Sequence, residues 1–210
     1  MSPGSHRAPL SLVVGQDRRT LSDGDLARGL MAGHTWAVAE TWRRFAPMVL
    51  TLARRTLGSH SEAEDVGQIV FYRVFRKATS LRDPDSLRAY VYGFAIRALK
   101  TELSRRKLRS WLSFERPEVL SSLGSQTLDV ESQDLLRRFK GLLDRLSPRD
   151  QLVFTMRRME AMTVEEISAA MGLSESTVKR SMAHASARLS HWMRSDPGLA
   201  GLYQEGRSEP

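Results

Sequence analysis

The amino-acid sequence predicts an all-α protein of two helical domains joined by a flexible linker, and three observations carry that prediction. Apolar residues recur every three or four positions through nearly every segment, the spacing that gives a helix one buried face. Capping signals open successive stretches: Ser22-x-x-Asp25, Ser61-x-x-Glu64, Asp83-Pro84, Ser147-Pro148-x-Asp150 and Thr163-x-x-Glu166. Between the two halves, residues 109–131 lose the period and become rich in Ser, Gly, Pro and acids, as a linker does.

Residues 1–21 are rich in Gly, Pro, Arg and Ser and read as a disordered tail. The first domain spans 22–108. A short helix runs from the Ser22 cap to near Gly33, and a second from about Thr35 to Leu57 is closed by Gly58. Trp36, Ala39, Trp42, Phe45 and Leu52 mark much of the second helix's apolar face. The third helix opens at Ser61 and runs to about Lys77, with Val66, Ile69, Val70 and Val74 spaced for burial and Phe71 and Phe75 beside them. Thr79 to Asp83 is a loop. Pro84 then starts a fourth helix through Tyr90, Val91, Phe94, Ala95 and Leu99 to Arg105, Arg106 and Lys107.

The second domain spans 132–194. Leu135, Leu136, Phe139, Leu142, Leu143 and Leu146 form one helical stripe, and a second helix follows from Pro148 to Met159. The stretch from Thr163 to Leu189 is a helix, a tight turn and a second helix. Thr163 and Glu166 form a capping box, Gly172 supplies the left-handed turn residue, and Ser174 caps the next helix. Val178, Met182, Ala185 and Leu189 give that last helix its buried side. Ser176, Thr177, Lys179, Arg180, Ala183 and His184 remain for the outer surface. Two bases beside small polar groups suit phosphate and base-edge contacts in a DNA major groove. Residues 195–210 read as a polar tail.

Composition narrows the function. The chain of 210 residues carries a formal charge of +8, which favours a polyanionic partner, nucleic acid before membrane. No run of about 18 apolar residues is present, so no membrane insertion is expected. Cysteine is absent, which removes disulfide scaffolds and thiolate metal sites and makes the reducing cytoplasm the expected location. The five histidines are scattered without H-x-x-x-H spacing, so neither a metal nor a cofactor is expected. There is no P-loop, nucleophile elbow or convergent acid–base set, and an enzyme is not expected.

Three stretches together resemble the bacterial sigma-70 family, in its extracytoplasmic-function (ECF) group. SEAEDVGQIVFYRVFR, from Ser61, is similar to the family's region 2.2 through its A-E-D-x-x-Q-x-x-F pattern. SLRAYVYGFAIRALKTELSRRK, from Ser86, is similar to regions 2.3 and 2.4, and Leu146 to Leu189 is similar to region 4. The sequence departs from the family at Gly67 and Ile69, where an aliphatic residue and an acid are usual, at Arg97 (usually asparagine) and at Tyr90 (usually tryptophan). Gly93 sits inside a predicted helix, at about 1 kcal/mol relative to alanine.

The resemblance implies a subunit that binds core RNA polymerase, recognises −35 and −10 promoter elements and promotes DNA melting. It assigns polymerase docking to Asp65, Gln68, Phe71 and Tyr72, with Glu64 serving equally as a capping acid. It assigns −10 contacts to Thr79, Ser80, Leu81, Arg82, Tyr92, Arg97, Lys100, Arg105 and Arg106, and the stretch from Arg82 to Arg109 holds eight bases against three acids. Tyr90 and Phe94 lie near the apolar stripe of the same helix and read as core. The −35 contacts fall to Ser176, Thr177, Lys179, Arg180 and His184. Family members are commonly held by an anti-sigma factor, which makes one a candidate partner. The rival reading is an autonomous helix-turn-helix regulator that binds duplex DNA without polymerase. A third is a relative that binds polymerase but has lost promoter selectivity.

Overall fold

The computed structural model describes residues 21–112 and 129–201, and every regular element among them is helical. The N-terminal half contains α1 (Asp23–Met31), α2 (Thr35–Leu57), α3 (His60–Arg76) and α4 (Leu87–Leu112), with two single 3₁₀ turns between α3 and α4. The C-terminal half contains α5 (Val130–Asp144), α6 (Pro148–Arg158), α7 (Val164–Met171) and α8 (Glu175–Ser195). The expected tail at 1–20, most of the expected linker and the last nine residues lie outside the described residues.

Most helix boundaries follow from local chemistry. Ser22 with Asp25 and Thr163 with Glu166 form complete capping boxes, in which each side chain satisfies the other residue's backbone N–H. Ser147 and Ser174 accept from the backbone N–H groups of Asp150 and Thr177. Gly58 closes α2 at φ 72° and Gly172 closes α7 at φ 64°, where a side chain would be strained. One cap differs from expectation. Ser59, two residues before Ser61, caps α3 by accepting from Glu62 N–H. The left-handed turn at Gly58 lets the next helix begin at once, and Glu62 turns away to Arg106.

The buried face of α2 is rotated from the expected one. Ala37, Thr41, Phe45, Val49 and Leu52 face inward, whereas Trp36 and Trp42 remain 40% and 43% exposed and Ala39 is exposed. Inward-facing Glu40 makes this possible: it is buried in a clasp with Arg43 and with Arg44, which also reaches Asp23 of α1. Ile69 of α3, expected in the core, is likewise on the outside. At Gly67 a Cβ would come within 2.8 Å of Leu50 Cδ2, so the glycine allows α2 and α3 to approach closely.

The two halves pack together. Leu152, Val153 and Met156 of α6, Ile167 of α7 and Val178 of α8 belong to the same core as the buried side chains of α1 to α4. A second core holds Leu142, Leu143 and Leu146 with Ala185 and Leu189. Leu199 completes it, so the residues after α8 fold back rather than forming a wholly polar tail. Polar ties cross between halves as well. The Gln151 amide donates to Thr56 O at 3.2 Å, Arg55 bonds Glu160 at 2.9 Å and also Met159 O, and Lys107 donates to Leu146 O.

Ile167 is fully buried at the junction, and its truncation leaves a cavity. Ile167→Ala is expected to destabilise the chain by about 2–5 kcal/mol. Calorimetry should show one shared unfolding transition moving down; a shift confined to one of two separate transitions would contradict a common core.

Candidate nucleic-acid and protein interfaces

Three surfaces collect the residues singled out in the sequence. The first is the outer face of α3. Ala63, Val66, Val70 and Val74 fix the helix against its neighbours, which turns Asp65, Gln68, Ile69 and Tyr72 outward along one helical stripe. Ile69 is 41% and Tyr72 61% exposed, so the stripe joins an acid and an amide to an apolar patch. Arg76, absent from the sequence expectation, braces the ring by donating to the Tyr72 hydroxyl at 3.1 Å. Phe71 is a correction. At 1% exposure it packs against Trp42 and Phe75 and supports the stripe from beneath.

The second surface is the loop after α3 with the outer side of α4. Thr79, Ser80 and Arg82 are exposed. Leu81 is a correction: it is buried and anchors the loop to the core. The loop is also pinned by Lys77 O, which accepts from Ser80 Oγ at 2.7 Å and from the Tyr90 hydroxyl at 2.5 Å. Arg97, Lys100 and Arg105 are exposed along α4, Arg105 lying 3.6 Å from Glu102.

Two further −10 expectations are corrected. Tyr92 is buried on the flank of α4, among Arg88, Glu160 and Glu166, where burial and then the Glu160 charge raise its phenol pKa above the ordinary value. Arg106 is largely withdrawn from solvent, bonded to both carboxylate oxygens of Glu62 and donating to Leu57 O at 2.8 Å. It ties α4 to α2 and α3 instead of facing DNA.

The third surface is α8, presented by the α7–Gly172–α8 turn. Ser174 Oγ lies 2.8 Å from Thr177 Oγ1 and 3.1 Å from Ser176 Oγ, so both hydroxyls belong to the cap at the helix N-terminus, a place that favours phosphate. Lys179 is paired with Glu175 at 3.4 Å. Arg180 is exposed and has no charged partner among the described residues. His184 is exposed, but its Nδ1 lies 3.0 Å from Asp150 Oδ2 on α6.

Asp150 is the residue that the sequence did not reveal. It reads there only as an acid in a first turn, and its partner His184 is 34 positions away. Burial alone would raise this carboxyl, yet Ser181, Ser147 and His184 together hold it below its ordinary value. It thereby fixes α8 against α6. Among the described residues no cluster of His, Asp or Glu is placed to hold a metal ion, and no helix is long and apolar enough to cross a membrane.

The sigma-70 region 2 family matches residues 41–109, and the sigma-70 region 4 family matches residues 136–189. The chain belongs to the sigma-70 family, in its ECF group. It is similar to the RNA polymerase sigma-E factor of Streptomyces coelicolor, at 29% identity over 67% of this chain and 77% of that one. It is also similar to the ECF RNA polymerase sigma factor SigM of Mycobacterium tuberculosis, at 25% identity over 82% and 85%. Two solved structures share the fold. CnrH, in complex with the cytosolic domain of CnrY, has a TM-score of 0.59 at 23% identity, covering 83% of this chain and 98% of its own. RpoE of Bartonella quintana, in complex with the anti-sigma factor NepR, has 0.57 at 19%, covering 75% and 97%. The α3 stripe and the α4 surface fall in sigma region 2, and α8 falls in sigma region 4.

The Asp150 contact has a pH signature. A carboxyl held low in the folded state contributes stability that is complete above the unfolded value near pH 4 and is lost as pH falls through the lower folded value. Asp150→Ala should cost about 1–3 kcal/mol at neutral pH. That difference from wild type should shrink below about pH 4 in denaturant titrations.

Proposed function

We propose that this sigma factor binds core RNA polymerase through the α3 stripe, reads the −35 element with α8, and engages the −10 element with the 79–82 loop and α4 to promote melting. In this reading residues 22–108 act as the region 2 unit and 132–194 as region 4, the chain acts in the cytoplasm, and a partner of the anti-sigma class competes for the same surfaces. The observation that carries the reading is the union, on one chain, of a half-apolar docking stripe at Asp65, Gln68, Ile69 and Tyr72 with two separate basic surfaces. A dimeric DNA-binding regulator could pair two such stripes but has no use for a second basic surface on each chain. The family assignment likewise does not favour it.

Elements read by separate halves lie along a duplex whose helical turn spans about 34 Å. Halves that share a core cannot both follow it, so promoter engagement requires α6 and α7 to leave α2 and α4. Polymerase binding supplies the work of separation, because a partner that binds only the open form shifts the equilibrium by its differential affinity.

Reconstitution with core polymerase and a promoter library tests the class: transcripts that depend on this chain support it, whereas specific duplex binding without core would replace it. Arg180→Ala should weaken −35 binding by about 1–3 kcal/mol and relax preference at one position; an unchanged preference would remove Arg180 as a base reader. Glu160→Arg sets like charges against Arg55 and should increase holoenzyme formation about two- to five-fold at limiting core, in line with a pair worth up to about 1 kcal/mol. No increase would remove this tie as a restraint on opening.

A further inference from the structure

Two departures from the family pattern, Gly93 and Arg97, meet in the structure. Gly93 lies in the body of α4, where glycine costs about 1 kcal/mol relative to alanine. A Cβ there would meet Arg97 Nη1 at 3.4 Å and Nη2 at 3.5 Å, so the guanidinium lies along the helix surface beside the bare glycine. The same guanidinium sits over the Phe94 ring, 4.6 Å from its centroid. Phe94 is itself held edge-on by Tyr90, with ring centroids 5.0 Å apart and planes at 80°. Tyr90 in turn anchors the loop through Lys77 O at 2.5 Å. A continuous support thus runs from the loop through Tyr90 and Phe94 to Arg97.

We propose that Arg97 is a flat stacking shelf for an unpaired DNA base, built by Phe94 from below and by the missing side chain of Gly93 from the side. The inference rests on the assignment of this surface to the −10 element and adds what Arg97 does there. A phosphate contact needs only a positive charge, which a lysine supplies equally well. A guanidinium fixed against a ring is different: it offers a broad planar cation to a base, and bases stack on arginine planes as on aromatics. No carboxylate pairs with Arg97 among the described residues, and the side chain is exposed, so the shelf is open to a partner. Unpaired bases are what a melting protein must capture, because each base taken from the stack loses its neighbours.

The test uses the full chain with core polymerase and a promoter fragment selected in the reconstitution. The non-template strand carries 2-aminopurine at one −10 position at a time, so that stacking is read as quenching. Wild type is expected to quench one position above the others. Arg97→Lys, which keeps the charge and loses the plane, should abolish that quench and weaken open-complex formation about ten-fold, within the range of one stacked base. Gly93→Leu should do the same, because its side chain takes the place of the guanidinium, and a cooperative thermal melt of the variant shows that the fold is kept. If Arg97→Lys matches wild type in both readouts, Arg97 is a phosphate contact and the shelf is overturned. If Gly93→Leu keeps both the quench and wild-type stability, the glycine has no part in it and the proposal is likewise overturned. If wild-type holoenzyme melts no −10 position at all, the assignment of this surface fails first, which separates the two claims.

Discussion

The packing of α6 and α7 on α2 and α4 is the constraint on which the remaining arrangement depends. Neither half buries its apolar faces alone: Leu152, Val153, Met156 and Ile167 are closed off by side chains of α2 and α4, while the outer core at Leu143 and Leu189 is a smaller, separate cluster. Burial of apolar surface is non-directional, so the angle of this contact is set elsewhere. Buried Gln151 fixes it by reaching the Thr56 carbonyl, and Asp150 beside it holds α8 through His184. Adjacent residues of α6 therefore join the second half to the first and α8 to its own domain.

Helix ends explain where much of the positive charge goes. The last carbonyls of a helix have no partner inside it and carry the negative end of its dipole. Arg106 and Gln151 reach Leu57 O and Thr56 O at the end of α2, Arg55 reaches Met159 O at the end of α6, and Lys107 reaches Leu146 O beyond α5. Lys140 lies across Gly58, paired with Asp144. Burial lowers the pKa of Lys107 and Lys140 from the ordinary lysine value, a cost accepted for contacts that water does not supply. A net positive charge thus overstates the DNA-facing surface, since several bases close helices instead.

Local signals are legible in the sequence and long-range ones are not. Gly58, Gly172, Ser147 and the Thr163–Glu166 box act within three or four residues, so sequence alone locates them. Periodicity shows that a helix has a buried face but fixes its rotation poorly where aromatics lie on both sides. It therefore points Trp36 and Trp42 inward, whereas buried Glu40 with its two arginines turns α2 the other way. Phe71 and Tyr92 illustrate the same limit at the candidate sites: each sits beside exposed neighbours in sequence, and only the packing of Trp42 and of α7 withdraws it. Arg106 and Asp150 find partners 44 and 34 residues away, distances that no pattern in the chain encodes.

The same competition for cations shapes α8. Lys179 is offset by Glu175, His184 is drawn toward Asp150, and Arg188 lies over the Trp192 ring, so Arg180 is the exposed arginine near the helix start that has no charged partner among the described residues. A helix with so few free charges neutralises few phosphates, and non-specific DNA affinity falls as fewer phosphates are neutralised. In the proposed −35 role its contribution comes from discrimination, with exposed Arg180 for base edges and the Ser174-capped N-terminus for the backbone. Such a reader is weak alone and selective when something else holds it on the duplex. In the proposed role the half-apolar stripe of α3 meets that need by recruiting a partner rather than by adding charge.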